Sequence, residues 1–276
     1  MFFVDIEDVI PESNIICVSP HYDDFLFFLG GYVLEIKRMG HLGTKRFTNI
    51  SAFSRSNYQE RDAEGNRDRS LERVKYATGI RLIEDLECLN ELLGKHNYIY
   101  RVIGEEDSLV RGKGLSEGEG EMEMSYGSYE TMEKCDWDIL GRLETCISEL
   151  AAMDDTAIVL PLSMKGHIDH FIVREAGVRA YERPNRKAAF YFAEDKPYAG
   201  IMTEEENAIS DAFISMHKLT DRAFRGHPEE ILKLAYRHYK SQLNPVYDEG
   251  IISRTEQLKQ IYKMDAPCDR IYTFKE

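Results

Sequence analysis

The chain has 276 residues, a length that fits one large α/β domain or two small ones. Hydrophobic residues make up 43% and charged residues 30%, which excludes a mainly disordered chain, a collagen-like repeat and a disulfide scaffold. Acidic residues outnumber basic ones by 49 to 35, and the net charge of −14 repels nucleic acid phosphates and anionic membrane surfaces on average. Nucleic acid is therefore not an expected partner.

Three sequence features bear on the location of the protein. The longest nearly unbroken apolar stretch, residues 25–34, has ten residues, against about 20 needed to span a bilayer. Residues 1–10 contain three acidic side chains and lack a basic start followed by an apolar run, so no secretory signal is expected. The five cysteines form no CxxC pair, which fits reduced thiols better than a disulfide framework. We expect a cytoplasmic protein without a membrane span.

Short β-rich runs alternate with amphipathic stretches, which predicts an α/β fold with a mostly parallel sheet and helices on both faces. The first strand is predicted over Asn14–Ser19, a continuous apolar run typical of a strand covered on both faces. A helix is predicted over residues 25–38, where Gly30 and Gly31 indicate close backbone packing. The further predicted strands are 47–53, 81–86, 98–103, 156–161 and 188–192. The further predicted helices are 67–78, 129–153, 170–181 and 228–243.

A flexible loop is predicted over residues 104–128, within a single domain that spans residues 1–276. This stretch contains six glycines and seven acidic residues, and its basic residues are Arg111 and Lys113. A segment of this length without secondary structure is usually either a mobile lid or disordered. No internal repeat or linker indicates a second domain.

A cluster of chemically versatile side chains directly follows the first predicted strand, in the run SPHYDD at residues 19–24. Ligands of open α/β sheets bind outside the carboxyl ends of the strands, so a site is expected here. His21 and Asp24 are three residues apart in a turn and are close enough to hold one ion. The neighbouring Asp23 must point elsewhere and could contact a bound water.

A second cluster, GHIDH at residues 166–170, follows another strand-like run and opens a predicted helix. His167 and His170 are three residues apart and fall on the same side of a helical turn. Taken alone, each cluster is as typical of a turn or a helix cap as of a functional site. Together, His21, Asp24 and His170 form a ligand set that suits Zn²⁺ and leaves a position open for water or substrate. Fe²⁺ or another divalent ion could replace zinc in such a set.

The two motifs resemble the signatures of the PIG-L/LmbE-like family of zinc-dependent N-acetylglucosaminyl deacetylases, usually written PHPDDE and HPDH or HxDH. The resemblance extends to Gly30-Gly31, to the strand before the second motif, and to residues 190–192, 197–198 and 239–242. It covers most of the chain. The resemblance implies a Rossmann-like α/β fold and metal-dependent hydrolysis of an acetamido group on a small-molecule sugar conjugate.

The resemblance also implies roles for individual residues. The implied metal ligands are His21, Asp24 and His170. Asp23 is the implied general base. His167 would polarise the amide carbonyl or stabilise the oxyanion, with Asp169 orienting it. A protonated His167 together with the metal would stabilise the negative charge of the tetrahedral intermediate.

Three positions depart from the family pattern. Tyr22 replaces its second proline, and Phe25 replaces the glutamate after the aspartates, which removes a group expected to support a ligand. Residues 67–79 are similar to the family's Arg-x-x-Glu helix, with Ser70 in place of the glutamate. This similarity implies that Arg67 binds substrate, although an arginine on a helix is by default a solvated residue or a salt-bridge partner.

Several functions remain open from the sequence. The first is removal of an acetyl group from an N-acetylated sugar, and the second is carbohydrate or metal binding without catalysis, which Phe25 and Ser70 motivate. The third is zinc-dependent hydrolysis of another amide or ester. A nucleotide-binding Rossmann protein is disfavoured, because residues 20–24 place carboxylates where a glycine-rich loop would hold phosphate. The sequence also leaves open the sugar, the aglycone, the pathway and the existence of a homo-oligomer.

Overall fold

The computed structural model describes residues 5–113 and 127–275. The strands of this part of the chain are β1 (Asn14–Ser19), β2 (Arg46–Ser51), β3 (Tyr98–Val102), β4 (Thr156–Pro161), β5 (Ala189–Ala193), β6 (Leu219–Arg225) and β7 (Cys268–Phe274). They form one sheet in the order β3-β2-β1-β4-β5-β7-β6. Strands β1 to β5 pair in parallel, whereas β7 runs antiparallel to both β5 and β6. The sheet is therefore mostly parallel, as the sequence predicts.

Helices cover both faces of this sheet. They are α1 (Ile6–Val9), α2 (Asp24–Arg38), α3 (Leu71–Leu93), α4 (Lys134–Ala151), α5 (Ile168–Tyr181), α6 (Glu204–Met216), α7 (Pro228–His238) and α8 (Val246–Tyr262). Side chains of α2, α3 and α7 share one hydrophobic core with Ile15 and Cys17 of β1. Side chains of α4 and α5 share the other core with Val18 of β1. Within the described residues, no helix is both long enough and apolar enough to cross a bilayer.

The central position of β1 determines where a site can form. β1 pairs with β2 on one side and with β4 on the other, and its register places Cys17 opposite Val159. All its residues from Ile15 onward are buried, as the apolar run predicts for a strand covered on both faces. Because β1 and β4 are parallel neighbours, the turns that follow them leave the same edge of the sheet. The two sequence motifs lie in these turns.

Most elements predicted around the motifs are confirmed, including β1, α2, β4 and α5. The strand predicted over residues 81–86 is wrong, because these residues belong to α3. Arg81 and Asp85 are four residues apart, so both lie on one buried side of α3. The apolar residues between them make this stretch resemble a strand in the sequence. Four C-terminal elements lacked a prediction: α6, β6, α8 and β7.

The described part of the predicted loop is packed against the rest of the structure. Within residues 104–113, Asp107 and Ser108 are buried, and Glu105 forms a two-pronged ion pair with Arg142 of α4. Residues 104–113 are thus packed, and the flexibility expected for residues 104–128 stays a prediction. Residues 114–126 of that prediction lie outside the described residues.

Candidate metal centre and cavity

Two strand–turn–helix junctions bring the sequence motifs together. Asp24 is the first residue of α2, and His167 precedes the first residue of α5 as its N-cap. A helix N-terminus carries partial positive charge and unpaired backbone N–H groups, which stabilise acidic side chains there. We call His21, Asp23, Asp24, His167 and His170 the floor, since all five line one cavity of about 110 Å³.

Three donor atoms of the floor form a nearly equilateral triangle. Asp24 Oδ2 lies 3.5 Å from His21 Nδ1 and 3.5 Å from His170 Nε2, and the two nitrogens are 3.3 Å apart. A tetrahedral ion with bonds of about 2.0–2.1 Å holds its ligand atoms about 3.3–3.4 Å from one another. The spacing of the predicted ligands therefore fits one small divalent cation.

Each histidine of the triangle contacts a carboxylate through its other ring nitrogen. His21 Nε2 lies 3.0 Å from Asp169 Oδ2, and His170 Nδ1 forms a short contact with Asp195. An ionised carboxylate only accepts hydrogen bonds, so each neutral ring carries its proton on the nitrogen that faces the carboxylate. The lone pairs of His21 Nδ1 and His170 Nε2 then face the triangle. Such carboxylate–histidine pairs are typical of metal ligands.

The charges around the triangle also favour a cation. Burial lowers the pKa of His21, but its hydrogen bonds to Asp169 and Asp24 outweigh burial and raise that pKa to about 10. Burial likewise lowers the pKa of His170, and Asp24 and Asp195 raise it above its usual value. Burial raises the pKa of Asp24, yet the two histidines hold it below its usual range. The carboxylates thus stabilise positive charge at this position, and the donor set fits a divalent ion.

Asp23 belongs to the floor but not to the triangle. Its carboxylate lies 3.8 Å from Nη2 of the buried Arg81. Burial and the adjacent Asp24 raise the pKa of Asp23, while Arg81 opposes the rise. Asp23 therefore has an unligated carboxylate at the cavity, with a basicity above that of an ordinary aspartate.

His167 differs from the other two histidines of the floor. Burial, together with the nearby His21 and His170, lowers its pKa to about 3, so the ring is neutral at pH 7. The low pKa disfavours the protonated His167 expected from the sequence, and the role of this residue at the oxyanion stays a prediction. The backbone N–H of Asp169 donates to His167 Nδ1 at 3.2 Å, which places the proton of the neutral ring on Nε2. His167 is thus a neutral hydrogen-bond donor.

The carboxylate of Asp169 has hydrogen-bond partners on three sides. It accepts from His21, from the Ser108 backbone N–H at 2.9 Å and from Arg111 at 2.6 Å. The Asp169 carboxylate thus hydrogen-bonds the His21 ring, while the Asp169 backbone N–H hydrogen-bonds the His167 ring.

The rest of the cavity surface comes from distant parts of the chain. We call these residues the wall: Tyr58, Arg81, Asp107, Tyr198, Gln242 and Tyr247. Arg81 Nε donates to Gln242 Oε1 at 2.6 Å, and its guanidinium lies 5.6 Å from the centre of the Tyr58 ring. Arg81 is also 3.7 Å from Asp107 Oδ2. The wall thus combines aromatic faces with fixed polar groups.

Arg67, predicted to bind substrate, lies elsewhere. It is exposed at the end of a short 3-10 helix, Gly65–Arg67, and is not among the residues that line the cavity. The following helix begins only at Leu71, because Ser70 caps it by accepting from the Arg73 backbone N–H at 3.2 Å. Arg81 lines the cavity instead, and substrate binding by Arg67 stays a prediction.

The departures from the family pattern have structural explanations. Phe25 is fully buried and packs edge-on to Phe47 in a hydrophobic core, so this position supports the fold. The Tyr22 hydroxyl donates to the Ser54 carbonyl at 2.6 Å. Support for the ligands comes instead from Asp169 and Asp195. Asp195 was missed from the sequence, although it follows β5 by two residues and strand ends are where sites form.

Comparison with known proteins relates the fold to deacetylases. The zinc-inhibited form of teicoplanin deacetylase Orf2 is similar at a TM-score of 0.65 and 17% identity, over 94% of this chain and 97% of that chain. The A40926 pseudoaglycone deacetylase Dbv21 gives 0.59 and 16%, over 95% and 97%. The N,N'-diacetylchitobiose deacetylase from Pyrococcus horikoshii gives 0.54 and 13%, over 97% and 86%.

The sequence itself matches no family model and no curated protein. The similarity to the solved deacetylases therefore concerns the fold. It extends over nearly the whole chain and confirms the Rossmann-like α/β architecture that the resemblance implies.

Proposed function

We propose that this protein is a divalent-metal-dependent hydrolase that removes the acetyl group from an N-acetylated sugar conjugate of the N-acetylglucosamine type. The observation that carries the proposal is the triangle of His21, Asp24 and His170, with the unligated Asp23 beside it in one cavity. Similarity to the fold of sugar-conjugate deacetylases supports the substrate class and the resemblance to the PIG-L/LmbE-like family.

Zn²⁺ is the proposed metal, held by His21 Nδ1, Asp24 Oδ2 and His170 Nε2. Three protein ligands of nitrogen and oxygen type are the usual set of a catalytic zinc site, with a further position for water or substrate. Fe²⁺ or another divalent ion is the alternative, since imidazole and carboxylate accept several of them. When bound, such an ion lowers the pKa of a coordinated water from 15.7 towards about 7 and polarises a carbonyl group.

Asp23 is the proposed general base. It takes the proton of the attacking water, and its raised pKa brings it nearer to the operating pH than an ordinary aspartate. The positive charge of Arg81, on the wall, opposes this rise in the pKa of Asp23 and so favours its ionised form. After the attack, Asp23 returns the proton to the amine that leaves. One carboxylate thus serves both proton transfers.

His167 is the proposed stabiliser of the oxyanion. Its neutral ring carries a proton on Nε2. This N–H can donate a hydrogen bond to the carbonyl oxygen as negative charge develops there. A preorganised donor of this kind contributes about 3–4 kcal/mol to transition-state stabilisation. Because the ring is held by the backbone N–H of Asp169, it needs little reorganisation during the reaction.

The wall is the proposed sugar-binding surface. Tyrosine rings pack against apolar faces and offer a polar tip, and Arg81 and Gln242 hold hydrogen-bonding groups in fixed positions for hydroxyls. The five free cysteines support a reducing, cytoplasmic location. The proposed catalytic unit is a single domain that spans residues 1–276.

The test starts from metal-free protein reloaded with Zn²⁺ or Fe²⁺. Acetate release is then measured on a panel of N-acetylhexosamine conjugates and on non-sugar acetamides and esters. We expect acetate release from sugar conjugates only with bound metal. Metal binding without acetate release from any compound would indicate a non-catalytic binding protein. Release from non-sugar amides or esters alone would indicate a hydrolase of another substrate class.

A further inference from the structure

Arg111 contacts the metal site from outside the cavity. Its Nη2 donates to Asp169 Oδ1 at 2.6 Å, and its Nε donates to Asp136 Oδ1 of α4 at 3.1 Å. The side chain is only 4% exposed, and the guanidinium lies 4.9 Å from the centre of the Phe53 ring. The proposed reaction gives Arg111 no direct task, although a buried arginine with two carboxylate partners is a strongly organised group.

Asp169 connects Arg111 to the triangle. One of its oxygens accepts from Arg111, and the other accepts from His21 Nε2 and from the Ser108 backbone N–H. Three donors from two separate chain segments thus fix both the rotation and the charge of this carboxylate. With Asp169 held in this position, His21 directs its Nδ1 lone pair towards Asp24 and His170.

The support of His170 is built differently. Asp195 accepts from His170 Nδ1 and from the Met164 backbone N–H at 2.8 Å. In the described ranges no lysine or arginine forms an ion pair with Asp195, and the adjacent Lys196 pairs with Asp269 at 2.7 Å instead. His170 lies within the first turn of α5, whereas His21 lies in the turn between β1 and α2. The histidine outside a helix is the one with an arginine behind its carboxylate.

We propose that Arg111 is a positioning residue of the metal site: it holds Asp169 so that His21 presents Nδ1 to the ion. This inference rests on the proposed function, because it takes His21 to be a metal ligand. Groups that support a ligand in this way typically change metal affinity by about 10- to 100-fold. Removal of the guanidinium is therefore expected to weaken metal binding by this factor.

The experiment measures Zn²⁺ affinity of metal-free full-length protein by competition with a chromophoric chelator. The variant Arg111→Met keeps much of the side-chain volume, and we expect its Zn²⁺ dissociation constant to rise about 10- to 100-fold. Arg111→Lys keeps the charge but loses the fork that contacts two carboxylates, so we expect it to recover part of the affinity. Thermal unfolding of the metal-free proteins shows whether each variant is folded.

Lys113→Met is the matched control. Lys113 is 9% exposed and pairs with Asp136, the other partner of Arg111, but does not contact Asp169. If Arg111 only anchors the segment to α4, Lys113→Met weakens Zn²⁺ binding as much as Arg111→Met does, and the inference is wrong. It is also wrong if Arg111→Met binds Zn²⁺ as tightly as the wild type. If Arg111→Met does not fold, an unchanged affinity of Arg111→Lys overturns the inference.

A wild type that binds no Zn²⁺ or other divalent ion contradicts the proposed function itself and removes this inference with it. That result is distinct from one in which the wild type binds Zn²⁺ and the Arg111 variants bind it equally well. The same Zn²⁺ titration therefore distinguishes failure of the proposed function from failure of this inference.

Discussion

The floor and the wall of the cavity are built in different ways. The floor consists of two short turns at the ends of neighbouring strands, and the backbone there fixes histidine and aspartate side chains within a few ångströms of one another. The wall is assembled from α3, α8 and the connecting segments that carry Tyr58, Asp107, Tyr198 and Gln242, and it combines aromatic faces with fixed polar groups. In the proposed function, the residues of the floor carry out the reaction and the residues of the wall select the substrate.

The largest effect is expected at the triangle. His170→Ala removes one of three metal ligands, so we expect it to lose both bound metal and acetate release. Loss of the metal's several kcal/mol of transition-state stabilisation corresponds to about 1,000-fold or more in rate. Metal analysis and an acetate assay measure the two effects. The control is His41→Ala, which removes a histidine paired with Glu7 on the surface and should change neither.

A smaller effect, confined to turnover, is expected at the base. Asp23→Asn keeps the size of the side chain and leaves the three donors in place, so we expect metal content to stay near the wild-type value. Loss of the proton acceptor is expected to lower kcat by about 10²- to 10⁴-fold. Full activity in this variant would show that another group takes the proton. Loss of metal would show that Asp23 belongs to the ligand set.

The next prediction compares Arg81, the arginine of the wall, with Arg67, the arginine that the sequence predicts to bind substrate. Asp23 must be ionised to act as a base, so kcat/KM rises with pH up to the pKa of Asp23, which lies above the usual aspartate value. Arg81 lowers that pKa. We therefore expect Arg81→Met to move the acid limb of the kcat/KM profile to higher pH by about one unit.

Arg67→Ala is the paired variant, and it should leave the pH profile unchanged because Arg67 is exposed and does not line the cavity. A larger shift for Arg67→Ala than for Arg81→Met would reverse the assignment of the arginine. An unchanged profile in both variants would show that Arg81 does not influence Asp23.

The smallest effect is on stability and comes from the charged support behind the cavity. Glu194 is 2% exposed and accepts from Arg254 at 2.8 Å and from Arg270 at 2.6 Å. Burial raises the pKa of Glu194, but the two arginines outweigh burial and hold it at about 2, against 4.5 for an ordinary glutamate. A lowered pKa stabilises the folded state above the unfolded value, and the gain is lost as pH falls from about 4.5 to 2.

Glu194→Gln is therefore expected to lower the free energy of unfolding by about 2–3 kcal/mol at pH 7, and by less at pH 3.5. Urea unfolding at both pH values measures the change. Glu91→Gln is the control, since Glu91 pairs with Arg237 at the surface, where such a pair contributes about 0–1 kcal/mol. An equal loss at both pH values would mean that Glu194 acts through packing rather than charge.

The floor could be predicted from the sequence because its residues belong to two short motifs, each contiguous in the chain. His21, Asp23 and Asp24 directly follow a buried strand, and His167 and His170 open a helix after its parallel neighbour. The rule that sites form at strand ends then brings the two motifs together without knowledge of the rest of the chain.

The wall could not be predicted in this way, because its residues meet only through tertiary packing. Arg81 lies in a run that has the apolar content of a strand and yet forms part of a 23-residue helix. Gln242 lies beyond the end of α7, although the sequence predicts a helix over residues 228–243, and Tyr247 lies in α8, which has no counterpart among the predicted helices. Asp107 and Arg111 lie in a glycine-rich acidic segment, where composition alone favours solvent. Arg111 is buried against Asp136 and Asp169, and Asp107 lies beside Arg81, so the partners of both are distant in sequence.

The identity of the ligand atoms at the metal is the most direct test of the account. The measurement is a crystal structure of Zn²⁺-loaded protein with anomalous data at the zinc edge. We expect one ion within about 2.0–2.2 Å of His21 Nδ1, Asp24 Oδ2 and His170 Nε2. His21, His167 and Asp169 form the competing donor group. An ion held through His21 Nε2 with His167 and Asp169, and absent from the triangle, would contradict the account.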